Sequence, residues 1–265
     1  MNVHTIQTLL TTKRMGKTIE WHELLDSTNI ALRNNALLGV AEGFVVGADF
    51  QTAGRGRFNR EWQSSSGENL LFSVLLRPQF PQSQLPLLNF MTAVAVAESV
   101  ESYPGAAATL RWSNDVYLNN KKVCGILSEA LPDSAGVVIG IGLNANQKLF
   151  PPELGNATSL IIESGDEIDR GRLLHIILKI MDEKYSSVLE CGFAHIMNEW
   201  RSRWDMQGKQ ISVQNRDSLI HGIAVGVEED GALCIQEVNG KQTRVYAGDA
   251  TLHPQKASHS VVERA

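Results

Sequence analysis

The sequence predicts a mixed α/β domain followed by a small β-domain. Short apolar runs separated by turn residues dominate residues 17–143, and two helical patterns interrupt them, which indicates a sheet backed by helices. Two longer helical patterns follow, with Gly192 as the stop between them. Beyond Gly208, four strand patterns come in quick succession, typical of a compact β-domain. We therefore expect domains of residues 1–207 and 208–265.

The composition restricts the class of protein. With 265 residues, 43% hydrophobic and 20% charged, the chain is of the globular class. A net charge of -5 argues against nucleic acid or an anionic membrane as partner, because both reward an extended basic surface. No stretch reads as a secretory signal or a bilayer span. Cys124, Cys191 and Cys234 lack the spacing of a disulfide framework or zinc site, so a cytoplasmic location is expected.

The first half of the chain reads as strands with two helices. Residues 1–14 are interpreted as a loose extension or as the result of an upstream start-codon misassignment. The residues from Asp26 to Asn29 offer several caps for a helix that runs to about Leu38. The segment from Pro86 to Val100 is apolar on nearly every side, as in a helix packed inside a domain. Strands are predicted at Lys17 to Leu24, Gly43 to Phe50 and Asn69 to Arg77.

The second half predicts an antiparallel meander, then helices, then the β-domain. The meander strands are Thr109 to Trp112, Val116 to Leu118, Lys122 to Leu131 and Gly136 to Leu143. The helices are Asp169 to Leu189 and Phe193 to Trp204. The strands of the small domain are Gln210 to Val213, Ile220 to Val227, Leu233 to Glu237 and Thr243 to Tyr246, which we interpret as a small barrel.

A loop from Gln51 to Trp62 is the strongest functional signal. Its arginines, Arg55, Arg57 and Arg60, alternate with Gly54 and Gly56. Glycine permits close backbone approach to a ligand, and arginine offers a fork of donors to a carboxylate or phosphate. Taken alone, such a loop is more often solvated surface than an anion site.

Further segments change that balance. They are Asp26-Ser-Thr-Asn29, Arg111-Trp-Ser-Asn-Asp115, Lys121-Lys-Val-Cys-Gly-Ile-Leu127, Gly140-Ile-Gly-Leu-Asn144 and Asn156-Ala-Thr-Ser-Leu160. Each segment by itself is a weak signal, but in this order and spacing they are specific. With the arginine loop they show that the chain resembles the biotin protein ligases, in the form without an N-terminal DNA-binding domain.

The resemblance implies a fold and a reaction. The fold is a catalytic domain similar to class II aminoacyl-tRNA synthetases, with a mixed, largely antiparallel sheet, and a C-terminal SH3-like barrel. In the reaction, biotin and MgATP give biotinyl-5′-adenylate, and a lysine of a biotin carboxyl carrier domain then takes the biotinyl group. Biotin, ATP and the carrier domain are the implied partners, and a homodimer stays open.

The resemblance also assigns roles to residues of this chain. Arg57 and Arg111 are expected to be catalytic. The expected biotin contacts are Ser27, Thr28, Asn29, Gln51, Gly54, Arg55, Gly56, Arg57, Arg111, Gly125 and Gly140. The expected ATP or adenylate contacts are Arg55, Arg57, Arg60, Trp62, Asn114, Lys122, Gly142 and Asn144. No metal ligand is assigned.

Other roles for these residues stay open. The Ser-Thr-Asn run also fits a plain helix cap, and Asn144 equally fits a turn residue that satisfies its own backbone. For Trp62, a buried indole beneath the loop with a satisfied N–H is expected ahead of a direct ligand contact. Of the two lysines at the hairpin, the family pattern favours Lys122.

The chain departs from the family pattern at two positions. The family carries Lys-Trp-Pro-Asn-Asp where this sequence has Arg111 and Ser113. Arginine is a wide planar fork and lysine a compact point charge, so the exchange alters geometry while keeping the charge. Arg111 is predicted to contact the biotin carboxylate or the α-phosphate. The alternatives are a lipoate-type protein ligase and a non-catalytic module that binds biotin or the carrier. A repressor role is not expected, because the residues ahead of Ser27 are too few for a DNA-binding domain.

Overall fold

The computed structural model describes residues 3–132, 136–215 and 218–253. The chain divides into two compact units, one ending at Trp204 and one beginning at Asp205. Helices of the first unit are α1 (Val3–Leu9), α2 (Thr28–Leu37), α3 (Leu87–Glu101), α4 (Leu160–Ser164), α5 (Arg170–Cys191) and α6 (Ala194–Arg203). Its strands are β1 (Ile19–Leu25), β2 (Val45–Gln51), β3 (Leu70–Leu76), β4 (Ala108–Arg111), β5 (Asp115–Leu118), β6 (Lys121–Ala130) and β7 (Val137–Leu143).

The seven strands form one mixed sheet in the order β1-β2-β3-β7-β6-β5-β4. Only β1 and β2 pair in parallel, and the other neighbours are antiparallel. Every residue of β3 is buried, which accounts for its nearly continuous apolar sequence. The predicted mixed α/β architecture with a mostly antiparallel sheet is confirmed.

Helices cover the two halves of the sheet. Helix α2 packs on β2, β3 and β7, and α3 packs on β4, β5 and β6 and also against α5 and α6. Nearly all of α3 is buried, as its uniformly apolar sequence predicts. Trp200 of α6 packs edge-on against Phe90 of α3, with 4.9 Å between ring centroids. None of the described helices combines the length and apolar character that a bilayer crossing requires.

The N-terminal segment differs from the expected loose extension. Helix α1 packs against α5, and both Ile6 and Leu10 are buried. The carboxylate of Asp182, itself buried on α5, accepts hydrogen bonds from the backbone N–H groups of Lys13, Arg14 and Met15 at 2.6 to 2.9 Å. The anchor of this segment therefore lies far along the sequence, where a local pattern cannot reveal it.

The described part of the second unit contains five strands, one more than predicted. They are β8 (Gln210–Gln214), β9 (Leu219–Val227), β10 (Leu233–Glu237), β11 (Gln242–Val245) and β12 (Asp249–Leu252). They form one antiparallel sheet in the order β11-β10-β9-β8-β12. Strand β12 was missed because its sequence carries only two apolar residues.

Candidate active site

Two glycine-bearing strands form the floor of the candidate site. Side chains two residues apart point to the same face of a strand, so Gly140 and Gly142 of β7 share one face. On β6, Gly125 pairs with Gly142 and Leu127 pairs with Gly140, which brings these residues of β6 to that same face. Because three of the four lack a side chain, neighbouring groups can lie directly on the backbone of the sheet.

A β-bulge adds Lys122 to this face. Val116 of β5 pairs with Cys124, whereas the next residue of β5 pairs with Lys122, so Val123 is the extra residue on β6. One extra residue reverses the alternation, and Lys122 thereby joins Gly125 on the same face. Accordingly, a Cβ built on Gly125 would lie 3.4 Å from the Lys122 Nζ.

Lys122 is held as a cation. Its Nζ lies 2.8 Å from Asp115 Oδ1. Burial acts to lower the pKa of Lys122, but the charge and hydrogen bond of Asp115, together with the nearby Tyr117 and Cys124, outweigh it, so the pKa is raised. The pKa of Tyr117 is raised as well, first by burial and then by the Asp115 charge. Lys122 therefore carries its positive charge throughout the neutral pH range.

The N-terminus of α2 lines the other end of the floor. Ser27, Thr28 and Asn29 are all buried, and Ser27 occupies the N-cap position without making a side-chain cap bond. Instead, Gln51 Oε1 accepts from the Thr28 backbone N–H at 2.7 Å, which joins α2 to the end of β2. The Ser-Thr-Asn run was expected to be either a plain helix cap or a set of ligand contacts. In the structure Ser27 stands at the cap position, but its hydroxyl makes no cap hydrogen bond.

A polar cluster surrounds Asn29. Its Nδ2 donates to Leu127 O at 3.2 Å and to Glu129 Oε2 at 2.8 Å. Ser73 Oγ lies 2.6 Å from Asn29 Oδ1 and 2.8 Å from Thr28 Oγ1. Because an amide oxygen only accepts, the single Ser73 proton goes to Asn29, and Thr28 then donates to Ser73. Both protons of the Asn29 amide are engaged within the protein, so this residue orients the pocket and has one lone pair left for a ligand.

Gly140 makes this arrangement possible. A Cβ at that position would lie 2.2 Å from Asn29 Oδ1, far inside contact distance. The sequence predicted close approach of a ligand to Gly140, whereas in the structure the group against its backbone is the Asn29 side chain. Ser73 and Glu129 were missed at the sequence level, although Ser73 is the only polar residue of β3 and could have been noticed for that reason.

The arginine loop folds into a small hairpin. Trp62 N donates to Gly54 O at 2.9 Å, and Gly56 N donates to Arg60 O at 2.7 Å. At its tip lies the 3₁₀ turn Arg57–Asn59, with φ of 53° at Phe58. A Cβ on Gly54 would lie 2.4 Å from Trp62 O, so only glycine closes this hairpin without displacement.

Arginines of the loop contact the sheet at two places. Arg55 Nη1 pairs with Glu129 Oε1 at 3.2 Å. Arg57 Nη1 donates to Ser113 Oγ and to Asn114 Oδ1, both at 2.9 Å. Asn114 is itself held by donating to Ile126 O at 2.6 Å. Ser113, where the family has proline, thus contributes a hydroxyl that contacts a loop arginine.

Trp62 lies on the glycine floor. A Cβ on Gly142 would be 2.6 Å from its ring, and a Cβ on Gly125 would be 2.8 Å from it. Lys122 Nζ is 5.7 Å from the ring centroid, within cation–π range. The indole N–H is buried without a hydrogen-bond partner, which differs from the satisfied N–H expected from the sequence.

Arg111 and Asn144 complete the predicted set. The Arg111 guanidinium lies over the ring of Tyr117, 3.9 Å from its centroid, and donates to Asn120 Oδ1 at 3.3 Å. Its β-ladder partner is Asp115, the residue that binds Lys122. Asn144 is buried; its Nδ2 donates to Thr158 O, but its Oδ1 has no hydrogen-bond partner. That acceptor is available to a ligand or water.

Comparison with known proteins finds relatives for both units of the chain. Residues 21–146 match the Biotin/lipoate A/B protein ligase family, and residues 208–252 match the biotin protein ligase C terminal domain. The bifunctional ligase/repressor BirA of Bacillus subtilis is 35% identical over 249 residues, covering 92% of this chain and 76% of that protein. The biotin--[acetyl-CoA-carboxylase] ligase of Paracoccus denitrificans is 32% identical over 226 residues, covering 82% and 93%.

Solved structures show the same relationship. The biotin protein ligase from Aquifex aeolicus in complex with biotin and ATP superposes with a TM-score of 0.79 at 32% identity, covering 89% of this chain and 99% of that one. Its apo structure gives a TM-score of 0.75 at 29% identity, covering 89% and 98%. The chain therefore belongs to the biotin protein ligase family.

Proposed function

We propose that this protein activates biotin with ATP to biotinyl-5′-adenylate and transfers the biotinyl group to a lysine of a biotin carboxyl carrier domain. The observation that carries the proposal is the convergence of the arginine loop and Lys122 on one face of the sheet, beside the buried Ser27, Thr28 and Asn29. A pocket of small polar groups suits a neutral ring rich in donors and acceptors, and the cations suit carboxylate and phosphate. The match to a ligase structure with biotin and ATP supports both ligands.

The chemistry requires positive charge at this position. In the first step a biotin carboxylate oxygen attacks the α-phosphorus of ATP, and the bond to pyrophosphate breaks. In the second step the lysine amine attacks the anhydride carbonyl, the carbon–oxygen bond to AMP breaks, and the amine loses a proton. The first step brings two anions together, so fixed cations and N–H groups must offset their repulsion. Arg55, Arg57 and Lys122 are placed to do so.

Residue roles follow from position on the floor. Thr28, Gln51 and the Asn29 cluster are proposed to surround the biotin ring. Trp62 and Gly142, at the other end, are proposed to border the nucleotide. The unpaired Asn144 Oδ1 can accept from an adenine amine or a ribose hydroxyl.

Magnesium would accompany the nucleotide. Within the described residues, no three His, Cys, Asp or Glu side chains form a group that could hold a metal ion. Mg²⁺ commonly keeps several waters and binds through substrate phosphates with one or two carboxylates, so this donor set is compatible with it. Bound there, the ion would neutralise phosphate charge.

The second unit and the cellular location complete the proposal. Five antiparallel strands and the matched C-terminal domain support an SH3-like barrel for this unit. We further propose a cytoplasmic enzyme with the domain boundary near residue 207. The carrier domain is proposed as the macromolecular partner.

Biotin-dependent exchange of pyrophosphate into ATP tests the first step. Wild-type protein should exchange with biotin and not with lipoate, and then label a carrier domain. Exchange with lipoate alone would instead indicate the lipoate-type ligase, and tight biotin binding without exchange would indicate a binding module.

Arg111→Ala tests the cation that departs from the family pattern. We expect the exchange rate to fall by about a hundredfold or more, the scale of one lost transition-state donor. Arg33→Ala removes an exposed arginine of α2 and serves as the control. If Arg111→Ala exchanged pyrophosphate as fast as the control, the assignment of Arg111 to the site would be wrong.

A further inference from the structure

One carboxylate joins the pocket to the arginine loop. Glu129 Oε2 accepts from Asn29 Nδ2 at 2.8 Å, and Glu129 Oε1 pairs with Arg55 Nη1 at 3.2 Å. Asn29 is buried, the Glu129 side chain is 22% exposed and Arg55 is 43% exposed. The contact therefore runs from the interior, through Glu129, to the loop at the surface.

The direction of the Glu129 carboxylate is determined from the interior. Asn29 cannot rotate, because Ser73 supplies a proton to its Oδ1 and Leu127 O takes one proton from its Nδ2. The remaining amide proton points at Glu129 Oε2, which leaves Oε1 directed at Arg55. Each oxygen of the carboxylate thus has one donor of its own.

Arg55 can keep this partner when an anion binds. A guanidinium carries five N–H donors in a rigid fork, and the Glu129 contact uses Nη1 alone. Holding one edge of the fork orients the remaining donors, which lowers the ordering entropy that a ligand must otherwise overcome. A half-exposed ion pair adds little to global stability, so the expected effect is local to the loop.

We propose that Glu129 is a positioning residue, which holds Arg55 and the arginine loop over the pocket through Asn29 and so couples pocket filling to loop closure. The part of this proposal that concerns biotin rests on the proposed function. The hold of Glu129 on Arg55 and on the loop is a property of the ligand-free protein and can be measured without any substrate.

Glu129→Gln is the diagnostic variant. A glutamine has one acceptor oxygen and one NH₂ group, so it can accept from Asn29 or from Arg55 but not from both, and its NH₂ then faces a donor. Glu20→Gln is the matched control, because Glu20 Oε2 also accepts from an asparagine, Asn35, at 3.1 Å. Thermal melting of both variants establishes that they fold.

The first measurement is trypsin cleavage in the loop without ligand, followed by mass spectrometry. Loss of the Glu129 contact should shift the equilibrium between the closed and the open loop by about tenfold toward the open state. Cleavage after Arg55 and Arg57 should then be about five- to tenfold faster in Glu129→Gln, because the cleavage rate follows the open population. Glu20→Gln should cleave at the wild-type rate. Equal rates in Glu129→Gln and wild type would overturn the proposal.

The second measurement separates binding from chemistry. In pyrophosphate exchange, Glu129→Gln should raise the KM for biotin by about five- to tenfold and leave kcat within about twofold, since loop closure is recovered at saturation. In an Arg55→Gln background, Glu129→Gln should add no further increase, whereas additive effects would contradict action through Arg55. If the wild type shows no exchange at all, the proposed function fails, and ligand-free cleavage still decides the role of Glu129.

Discussion

Replacing Gly142 by alanine should impair nucleotide use and spare biotin binding. The new methyl carbon would lie 2.6 Å from Trp62 Cε2 and 2.8 Å from Nε1. Carbon atoms in ordinary contact are about 3.5 to 4.0 Å apart, so one group must retreat by roughly 1 Å. Gly142 cannot, since β7 is paired with β3 on one side and β6 on the other. The indole, on a surface loop, is the group that moves.

The size of the effect follows from the overlap. Overpacking of this kind costs about 1 to 3 kcal/mol. If about 1.4 kcal/mol of that falls on the state that binds nucleotide, the KM for ATP rises about tenfold. Biotin affinity should change by less than about twofold, because the Asn29 cluster and Gly140 lie at the other end of the floor.

Exchange at saturating biotin and varied ATP gives the KM, and calorimetry gives the biotin affinity. Gly226→Ala is the control, because a Cβ on Gly226 meets no atom within 4 Å. An unchanged KM for ATP in folded Gly142→Ala, or an equal loss of biotin affinity, would refute the placement of the nucleotide beside Trp62.

Three further predictions concern other parts of the first unit. Asp182→Ala removes a buried acceptor of three backbone N–H groups and should lower the free energy of unfolding by about 3 kcal/mol, measured by urea denaturation; a loss below about 1 kcal/mol would mean that water replaces the carboxylate. Iodoacetamide should modify exposed Cys191 well before Cys124, whose pKa burial raises, and peptide mass mapping reads the order directly. Because the pKa of Lys122 is raised, its charge and its contribution to stability are complete below its unfolded pKa and are lost only in strong alkali. Between about pH 7 and 9 the exchange rate of wild type relative to Lys122→Met should therefore stay constant, and a ratio that falls with pH would show that Lys122 titrates in this range.

Much of the fold was predictable because its signals are local. The uniformly apolar segment from Pro86 to Val100 is α3, and the alternation and turns of residues 109–143 are the meander of β4 to β7. Strand β12 was missed because its apolar pattern is short. Residues 3–14, predicted to be loose, are instead packed, and the sequence could not show this because their anchor, Asp182, is more than 160 residues away.

The sequence by itself determined which chemical groups the site contains. The arginine loop, the Ser-Thr-Asn run and the strand glycines are contiguous motifs, so their presence and order needed no coordinates. Their spacing also sufficed to indicate the family, which the comparisons then showed.

Only the tertiary structure decided which groups meet. The bulge at Val123 turns Lys122 toward the floor, and neither its existence nor its side can be read from an apolar pattern. The Asn29 amide faces Gly140 and Glu129, so this residue also orients its neighbours. These outcomes depend on strand register and on contacts between residues about 100 positions apart, and the sequence pattern of a single element contains no information on either.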